Sequence, residues 1–151
     1  MELNSAESLA RQLMKEHGLT DWHFRWSSAL EQYGSCSHRT KPISLSKRLT
    51  PLCEEHQVRD TILHEIAHAL VDHWRNHDEV WRAMALQIGC SGKRNGKYGT
   101  KAMLQYEYGA VCKNGHIVYS HRRLVGRSCG ECFKGFNPEY ILVFRKIESE
   151  Q

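Results

Sequence analysis

The chain has few of the features that mark membrane, secreted or fibrous proteins. Its 151 residues include only three prolines, and no apolar run approaches the about 20 residues that a membrane-spanning helix needs. The first residues contain neither a basic nor an apolar stretch, so a secretory leader is not expected. The sequence also has no internal repeat and no low-complexity segment. We therefore expect a cytoplasmic globular protein that is not bound to membranes.

Cysteine and histidine, in contrast, are abundant. The chain has six cysteines and ten histidines. In a chain without a secretory leader the thiols are expected to stay reduced, which disfavours disulfides and favours metal binding. Because thiolate and imidazole are the usual ligands of zinc, the composition predicts a zinc protein.

Charge is distributed unevenly along the chain. Residues 1–90 contain 10 basic and 12 acidic residues, a net charge of −2, whereas residues 91–151 contain 11 and 5, a net charge of +6. A basic half of this kind attracts polyanions such as nucleic acid. A solvated basic surface without a ligand is the simpler interpretation, and charge alone does not decide between the two.

The hydrophobic pattern predicts an α+β fold. Apolar residues recur at helical spacing in three segments, residues 5–17, 53–74 and 78–88. Alternating aromatics predict a strand at 22–26, and one or two further strands are expected within 34–45. Pro42 and Pro51 bracket that stretch, which favours an edge strand or loop there. The aromatic residues of these segments are expected to lie mainly in the core: Trp22, Phe24, Trp26 and Trp81.

The motif that carries chemistry is His64-Glu65-Ile66-Ala67-His68, an HExxH sequence within a predicted helix. Histidines four residues apart project from one helix face and can bind one zinc ion together. Zinc lowers the pKa of a bound water to about 7 and polarises a carbonyl group. Glu65 lies beside the ligands, where it can take a proton from that water. The pattern predicts a metallopeptidase site.

The third protein ligand is not fixed by the motif. A metzincin would need Gly and His at positions 71 and 74, where the chain has Val71 and Trp74, so that class is excluded.

Asp72 follows His68 by four residues and could orient a ligand histidine. A carboxylate that only contacts solvent is the alternative.

Four other residues are candidates for the ligand position. His77 is favoured, because a helix break at residues 75–76 would let the chain turn back to the metal. A glutamate such as Glu79 or Glu107 would serve in a gluzincin. His73 lies about 140° around the helix from His68 and is expected to point away.

A succession of short motifs resembles the SprT/Spartan metalloproteases over roughly residues 6–91. Each piece is weak, but their order and spacing are specific: Trp22-x-Phe24-x-Trp26, Gly34-x-Cys36, Ile43-x-Leu45-Ser46, residues 61–69 (TILHEIAHA), residues 77–81 (HDEVW) and Ile88-Gly89-Cys90. One departure is Asp78, where the family usually has Gly.

The resemblance implies a function. It implies that His64, His68 and His77 hold a catalytic zinc ion and that Glu65 is the general base. It implies a minimal zincin-like metalloprotease domain, helices plus a small mixed sheet, at residues 1–91. It further implies an endopeptidase that acts on proteins bound or crosslinked to DNA. Substrate backbone is expected to add to an exposed edge strand, for which residues 43–46 are the candidate.

A second cluster predicts a structural zinc site in the C-terminal part. Cys112, His116, Cys129 and Cys132 form two ligand pairs separated by a short insert, which is typical of a closed tetrahedral site. His121 is an alternative to His116. Proteins similar to SprT often carry a zinc ribbon, although usually with two CxxC pairs. We expect a basic, Gly-rich linker at 92–105, a small β-rich zinc ribbon at 106–146 and a tail at 147–151.

Basic side chains of the linker and ribbon are the expected nucleic-acid contacts. They are Lys93, Arg94, Lys97, Arg122, Arg123 and Arg127. Basic residues mixed with aromatics suit phosphate contact and base stacking. The expected partners are a protein substrate and DNA, single-stranded or containing junctions. This role would place the protein at the nucleoid, or in the nucleus of a eukaryote.

Two other function classes remain open at this point. The chain could be a DNA-binding zinc protein, an adaptor or regulator, with an idle protease site. It could also be a zinc peptidase without any link to DNA. The oxyanion-stabilising residue is not fixed either; Tyr98, Tyr106 or an arginine could serve. Three thiols lack ligand spacing and are expected to be ordinary core cysteines: Cys36, Cys53 and Cys90.

Overall fold

The computed structural model describes residues 1–94 and 106–147. These residues fall into two compact units, one within residues 1–104 and one within residues 105–151. Most of the predicted linker and tail therefore lies outside the described residues, as do Lys97 and Tyr98. No helix of the described ranges has both the length and the apolar character needed to cross a bilayer.

Three helices form much of the first unit: α1 (Leu3–Glu16), α2 (Glu55–Leu70) and α3 (Glu79–Gln87). Helix α1 buries one apolar side, and α2 buries six of its 16 residues, all between Val58 and Ala67. The Gln57 side chain accepts a hydrogen bond from the Glu54 backbone at 2.8 Å, which satisfies a free N–H at the start of α2. All three helices were expected from the apolar periodicity, and only α2 differs much, ending at residue 70 instead of about 74.

A three-stranded sheet packs with these helices. Its strands are β1 (His23–Ser27), β2 (Gly34–Cys36) and β3 (Pro42–Ser46), in the order β1-β3-β2. Strand β1 is parallel to β3, and β2 is antiparallel to it. The sheet is therefore mixed.

The prediction that residues 43–46 form an exposed edge strand is wrong. Strand β3 lies in the centre of its sheet, and all five of its residues are buried. Pro42 is compatible with this position because it is the first residue of the strand, one of the few places where a missing N–H is tolerated. The edges of the sheet are β1 and β2.

The core of the first unit joins helices and sheet. The predicted aromatics belong to it: Phe24 and Trp81 are buried, and Trp22 and Trp26 pack against it while partly exposed. Other large buried side chains come from α1, β3 and α2: Leu13, Ile43, Leu45, Ile62, Leu63 and Ile66.

The second unit is built from short strands. Strand β4 (Tyr108–Val111) pairs with β5 (Ile117–Ser120) on one side and with β8 (Arg145–Lys146) on the other, and β6 (Arg127–Ser128) pairs with β7 (Ile141–Leu142). Among the described residues of this unit, the buried core consists of five: Ala110, Cys112, Cys129, Leu142 and Phe144. A core this small rarely supports a fold without a metal or disulfide. Helices with small mixed sheets confirm the α+β class.

Candidate metal sites

Three histidines converge on one point of the first unit. His64 and His68 lie one turn apart on α2, and His77 lies between α2 and α3. The Nε2 atom of His77 is 2.9 Å from that of His64 and 3.1 Å from that of His68. The three donor nitrogens lie within 4.8 Å of one another. The structure thus brings together the three ligands that the sequence favoured.

The early end of α2 makes this convergence possible. Val71 has an extended backbone, and its carbonyl oxygen is 2.9 Å from Nε2 of His38. The chain then turns, with the Arg75 N–H donating to the Asp72 carbonyl and the Arg75 guanidinium paired with Asp78. A helix continuing to residue 74 would have carried the following residues away from His64.

Asp78 starts the next helix. Its carboxylate accepts a hydrogen bond from the Trp81 backbone N–H at 2.9 Å, as an N-cap. Aspartate is one of the preferred residues for this role, so Asp78 is compatible with the turn after His77. The cap fixes where α3 begins, directly after His77.

The other proposed ligands lie elsewhere. His73 contacts the rings of His38 and Trp74, and Glu79 is exposed in the first turn of α3. Glu107 belongs to the second unit. The Asp72 carboxylate forms an ion pair with Arg75 at 3.7 Å. Its observed partner is therefore Arg75, whereas the sequence suggested a ligand histidine.

The geometry and electrostatics of the three histidines fit a zinc ion. Two nitrogens bound to one tetrahedral zinc at 2.0–2.1 Å lie about 3.3 Å apart, close to the observed separations. Burial, reinforced by the neighbouring imidazoles, lowers the pKa of His64 and of His68 to about 4. The rings are therefore neutral at pH 7, the form that binds metal. Burial and the charge of Arg94 lower the pKa of His77.

Trp81 forms the floor of the cluster, a role that the sequence did not reveal. Its ring centroid lies 4.6 Å from those of His64 and His77, and 5.1 Å from that of His68, on which it stacks. The side chain is 1% exposed. A core residue therefore also fixes the position of all three imidazoles.

Glu65 lies beside the ligands in a dry environment. It is 8% exposed, and burial raises the pKa of its carboxyl group to about 8. Strand β2 passes directly over it at Gly34. A Cβ atom at Gly34 would lie 3.0 Å from Cγ and 3.1 Å from Oε1 of Glu65, and 2.9 Å from Cγ2 of Thr61. Glycine is therefore needed here for close approach of the strand to the helix.

Gly34→Ala is expected to impair the site through this contact. The added methyl group must displace Glu65 or lift β2 from α2, which we expect to cost about 1–3 kcal/mol of unfolding free energy and to reduce any Glu65-dependent activity. Gly109→Ala is the matched control, since a Cβ there meets its nearest neighbours at an ordinary 3.6 Å. Thermal melting of both variants checks this, and equal stability of Gly34→Ala and the wild type would contradict it.

The second cluster lies wholly in the second unit. The Sγ atom of Cys112 is 3.4 Å from Nδ1 of His116 and 3.7 Å from Sγ of Cys132. His116 Nδ1 is 3.3 Å from Cys132 Sγ and 3.7 Å from Cys129 Sγ. Two thiolates on one tetrahedral zinc lie about 3.8 Å apart, so these four groups also fit zinc. His121, the alternative to His116, is not in the cluster.

The surroundings of Cys112 favour metal binding. Burial would raise the pKa of Cys112, but hydrogen bonds from the backbone N–H groups of Asn114 and His116 lower it to about 6. The Asn114 side-chain amide donates to Cys132 Sγ at 3.3 Å. Such hydrogen bonds stabilise thiolates and orient them. Cys36, Cys53 and Cys90 lie outside both metal clusters and form no disulfide among the described residues.

The predicted nucleic-acid contacts that the structure describes are exposed. Arg122, Arg123 and Arg127 lie on the segment from β5 to β6. Beside β5, the Tyr106 ring stacks on Tyr119 at 5.5 Å and on His121 at 4.5 Å. This three-ring stack was not predicted. Lys93 and Arg94 are exposed in the first unit.

Comparison with known proteins identifies the family. No curated protein and no solved structure matches the chain. The family model of the SprT-like family matches residues 4–102, well over half of the chain. The match contains all three converging histidines and Glu65, while the Cys/His cluster lies beyond it. The chain belongs to the SprT-like family.

Proposed function

We propose that the protein is a zinc-dependent endopeptidase of zincin-like architecture in which His64, His68 and His77 hold the zinc ion. Membership of the SprT-like family indicates a metalloprotease-type function. The observation that carries the proposal is the convergence of three neutral imidazoles beside the buried carboxyl group of Glu65. A site that only stabilised the fold would not need a proton-accepting group there.

Glu65 does the proton transfer in this proposal. Bound zinc would supply Lewis acidity, which acidifies a coordinated water and polarises the scissile carbonyl. The Glu65 carboxylate takes the proton of the attacking water and delivers it to the leaving amine. Burial raises the pKa of its carboxyl group towards neutral pH, the range in which one group can both accept and return a proton.

The substrate backbone is proposed to add to β2. This strand is an edge of its sheet, and Gly34 lies directly over Glu65. An extended peptide paired with β2 gains main-chain hydrogen bonds and runs past the general base. The central strand β3, which the sequence favoured for this purpose, has both of its sides occupied by β1 and β2.

We further propose that the protease acts on proteins bound or crosslinked to DNA. The basic segment with Arg122, Arg123 and Arg127 supports this, together with the neighbouring stack of Tyr106, Tyr119 and His121. Basic side chains track the phosphate backbone of a single strand, and exposed aromatic rings stack on its bases. Single-stranded DNA is therefore the expected form.

A cleavage assay with charge variants tests the role of DNA. The substrate is a small basic DNA-binding protein, incubated with wild-type protein alone, with single-stranded DNA or with duplex DNA, and Glu65→Gln is the inactive reference. We expect stimulation by single-stranded DNA that falls as salt rises. Replacing Arg122, Arg123 and Arg127 by Ala should remove most of it. The matched control replaces Arg25, Arg39 and Lys47 by Ala, which removes equal charge from exposed positions of the first unit.

Each other outcome points to a different function. Cleavage that does not depend on DNA would keep the protease and exclude the DNA role. Equal loss of stimulation in both triple variants would mean that stimulation depends on the net positive charge of the protein and not on a DNA-binding surface around Arg122, Arg123 and Arg127. Absence of cleavage with zinc bound would favour an adaptor with an idle site.

A further inference from the structure

Four aromatic side chains form a continuous row near the C-terminal end of α2. The Trp22 ring meets the His38 ring edge to face, with 5.3 Å between the centroids. The His73 ring lies 6.2 Å from that of His38 and 5.1 Å from that of Trp74. We call these four residues the aromatic ledge. The side chain of Trp74 is 65% exposed, so the ledge ends in a large apolar ring that faces mostly solvent.

A hydrogen bond fixes the ledge beside the helix that carries two of the metal ligands. Nε2 of His38 lies 2.9 Å from the carbonyl oxygen of Val71, the residue at which α2 ends. Val71 follows the ligand His68 by three residues, which corresponds to a rise of about 4.5 Å along the helix axis. The ledge therefore begins within about one helical turn of a metal ligand.

The substrate path proposed above leads to the ledge. Strand β2 begins at Gly34, which lies over Glu65, and ends at Cys36. His38 follows two residues later, in the turn between β2 and β3. Extended backbone rises about 3.3 Å per residue, so His38 lies at most about 13 Å along the chain from Gly34. An extended peptide paired with β2 spans that distance with about four residues.

The chemistry of the ledge favours an aromatic side chain over a charged one. Aromatic rings associate edge to face or with offset stacking, and edge-to-face pairs already join members of the ledge. The charged residues beside it are paired with each other: Lys41 with Asp21, and Arg75 with Asp72. A nucleobase is disfavoured, because residues 1–90 carry a net charge of −2, which does not attract phosphate.

We propose that the aromatic ledge is the specificity subsite of the peptidase and takes an aromatic side chain of the substrate within about four residues of the scissile bond. The proposal rests on the proposed function, because it needs an extended peptide on β2 beside the zinc site. Trp74 is the specificity-determining residue, since its ring is mostly exposed, whereas Trp22 packs against the core. The bound ring buries apolar surface against Trp74, a contact that an alanine side chain lacks.

A series of matched peptides tests the subsite on the zinc-loaded full chain. The bond cleaved in an unstructured parent peptide is located by mass spectrometry, and a single Phe or Ala is then placed at each of the four positions on either side. We expect Phe to raise kcat/KM about 10-fold over Ala at one of these positions, mainly through KM. Fluorescence anisotropy of the labelled peptides bound to Glu65→Gln should show the same preference without turnover.

Variants of Trp74 assign the preference to the ledge. Trp74→Ala should reduce the Phe/Ala ratio to about 2-fold or less and leave kcat/KM for the Ala peptide within about 2-fold. Trp74→Phe keeps an aromatic ring and should retain most of the preference. Leu86→Ala is the matched control, because it truncates another exposed apolar side chain, on α3, and should leave the ratio unchanged. Thermal melting checks that each variant folds, and Trp74→Gln replaces Trp74→Ala if that variant does not.

The two assays distinguish failure of the subsite from failure of the proposed function. Equal binding of the Phe and Ala peptides, or a preference that survives Trp74→Ala, would overturn the subsite. Binding of single-stranded DNA that is lost in Trp74→Ala would also overturn it, since the ledge would then be a surface for base stacking. Absence of cleavage of every peptide with zinc bound would instead overturn the proposed function, and the anisotropy of the Glu65→Gln complexes would still decide whether the ledge binds an aromatic side chain.

Discussion

Glu65→Gln is expected to lower the rate of substrate cleavage by at least about 100-fold while the protein keeps both metals. General acid–base catalysis contributes about 10²- to 10⁴-fold to a rate, and glutamine has the shape of glutamate without its proton-accepting oxygen. The ligands His64, His68 and His77 do not depend on the carboxylate, so zinc content should not change. Cleavage rates and metal analysis of the same preparations check the two halves of this expectation.

Glu79→Gln is the control for this change. Glu79 is the other glutamate considered near the site, and it is exposed in the first turn of α3. Its replacement should leave the rate within about 2-fold, as for surface changes in general. Retained cleavage in Glu65→Gln would exclude Glu65 as the general base. Loss of zinc from that variant would mean that Glu65 supports the ligand cluster instead.

The same variant should make the metal-free protein more stable at neutral and alkaline pH. The Glu65 pKa is about 8 in the folded chain, against an ordinary value of 4.5. Between these values the folded protein holds a proton that the unfolded chain has released, so the free energy of unfolding falls as pH rises from about 4.5 to 8. Glu65→Gln removes this decline, which we expect to amount to roughly 2–4 kcal/mol. Urea unfolding of both metal-free proteins at pH 5 and pH 8 measures it, and parallel pH dependences would contradict it.

Cys129→Ser is expected to unfold the second unit and to leave the histidine site metallated. Cys129 is fully buried in a core of five residues, which is too small to fold without support. Structural zinc contributes about 10–16 kcal/mol to folding in comparable small sites, so loss of one ligand removes most of the stabilisation. Metal content should fall from two zinc ions to one per chain. Proteolysis should then degrade residues beyond about 105 first.

Cys53→Ser is the matched control, because Cys53 is also a buried thiol and lies outside both clusters. This variant should keep two zinc ions and an intact second unit. Loss of both metals from Cys129→Ser would show that the two units fold as one interdependent domain. A wild-type protein that saturates with a single zinc ion would exclude one of the two sites.

The ligands could be predicted from the sequence because local spacing determines which of them share a face. His64 and His68 are one helical turn apart, so any helix through them presents both to one metal. The Cys112/His116 and Cys129/Cys132 pairs have the short spacing of zinc-binding turns. The three helices likewise follow from apolar residues that recur with the helical period, which depends on neighbouring residues alone.

Contacts between residues distant in the sequence determined two features that residue spacing does not predict: the order of the strands and the end of α2. Strand order is not encoded by the strand itself, so β3 was predicted at an edge although it lies between β1 and β2. The end of α2 depends on His38, which contacts the Val71 carbonyl from 33 residues away. This contact favours the earlier helix end, which lets His77 reach the cluster.

The parts of the site that support the ligands were also set by packing. The sequence by itself determined the chemistry: histidine ligands, a glutamate base and a separate Cys/His zinc site. Only the tertiary structure decided how that chemistry is held. It placed Trp81 beneath the imidazoles and Gly34 over Glu65. Each of these contacts joins segments that are distant in the sequence, and their physical basis is the close packing of helix against helix and strand against helix.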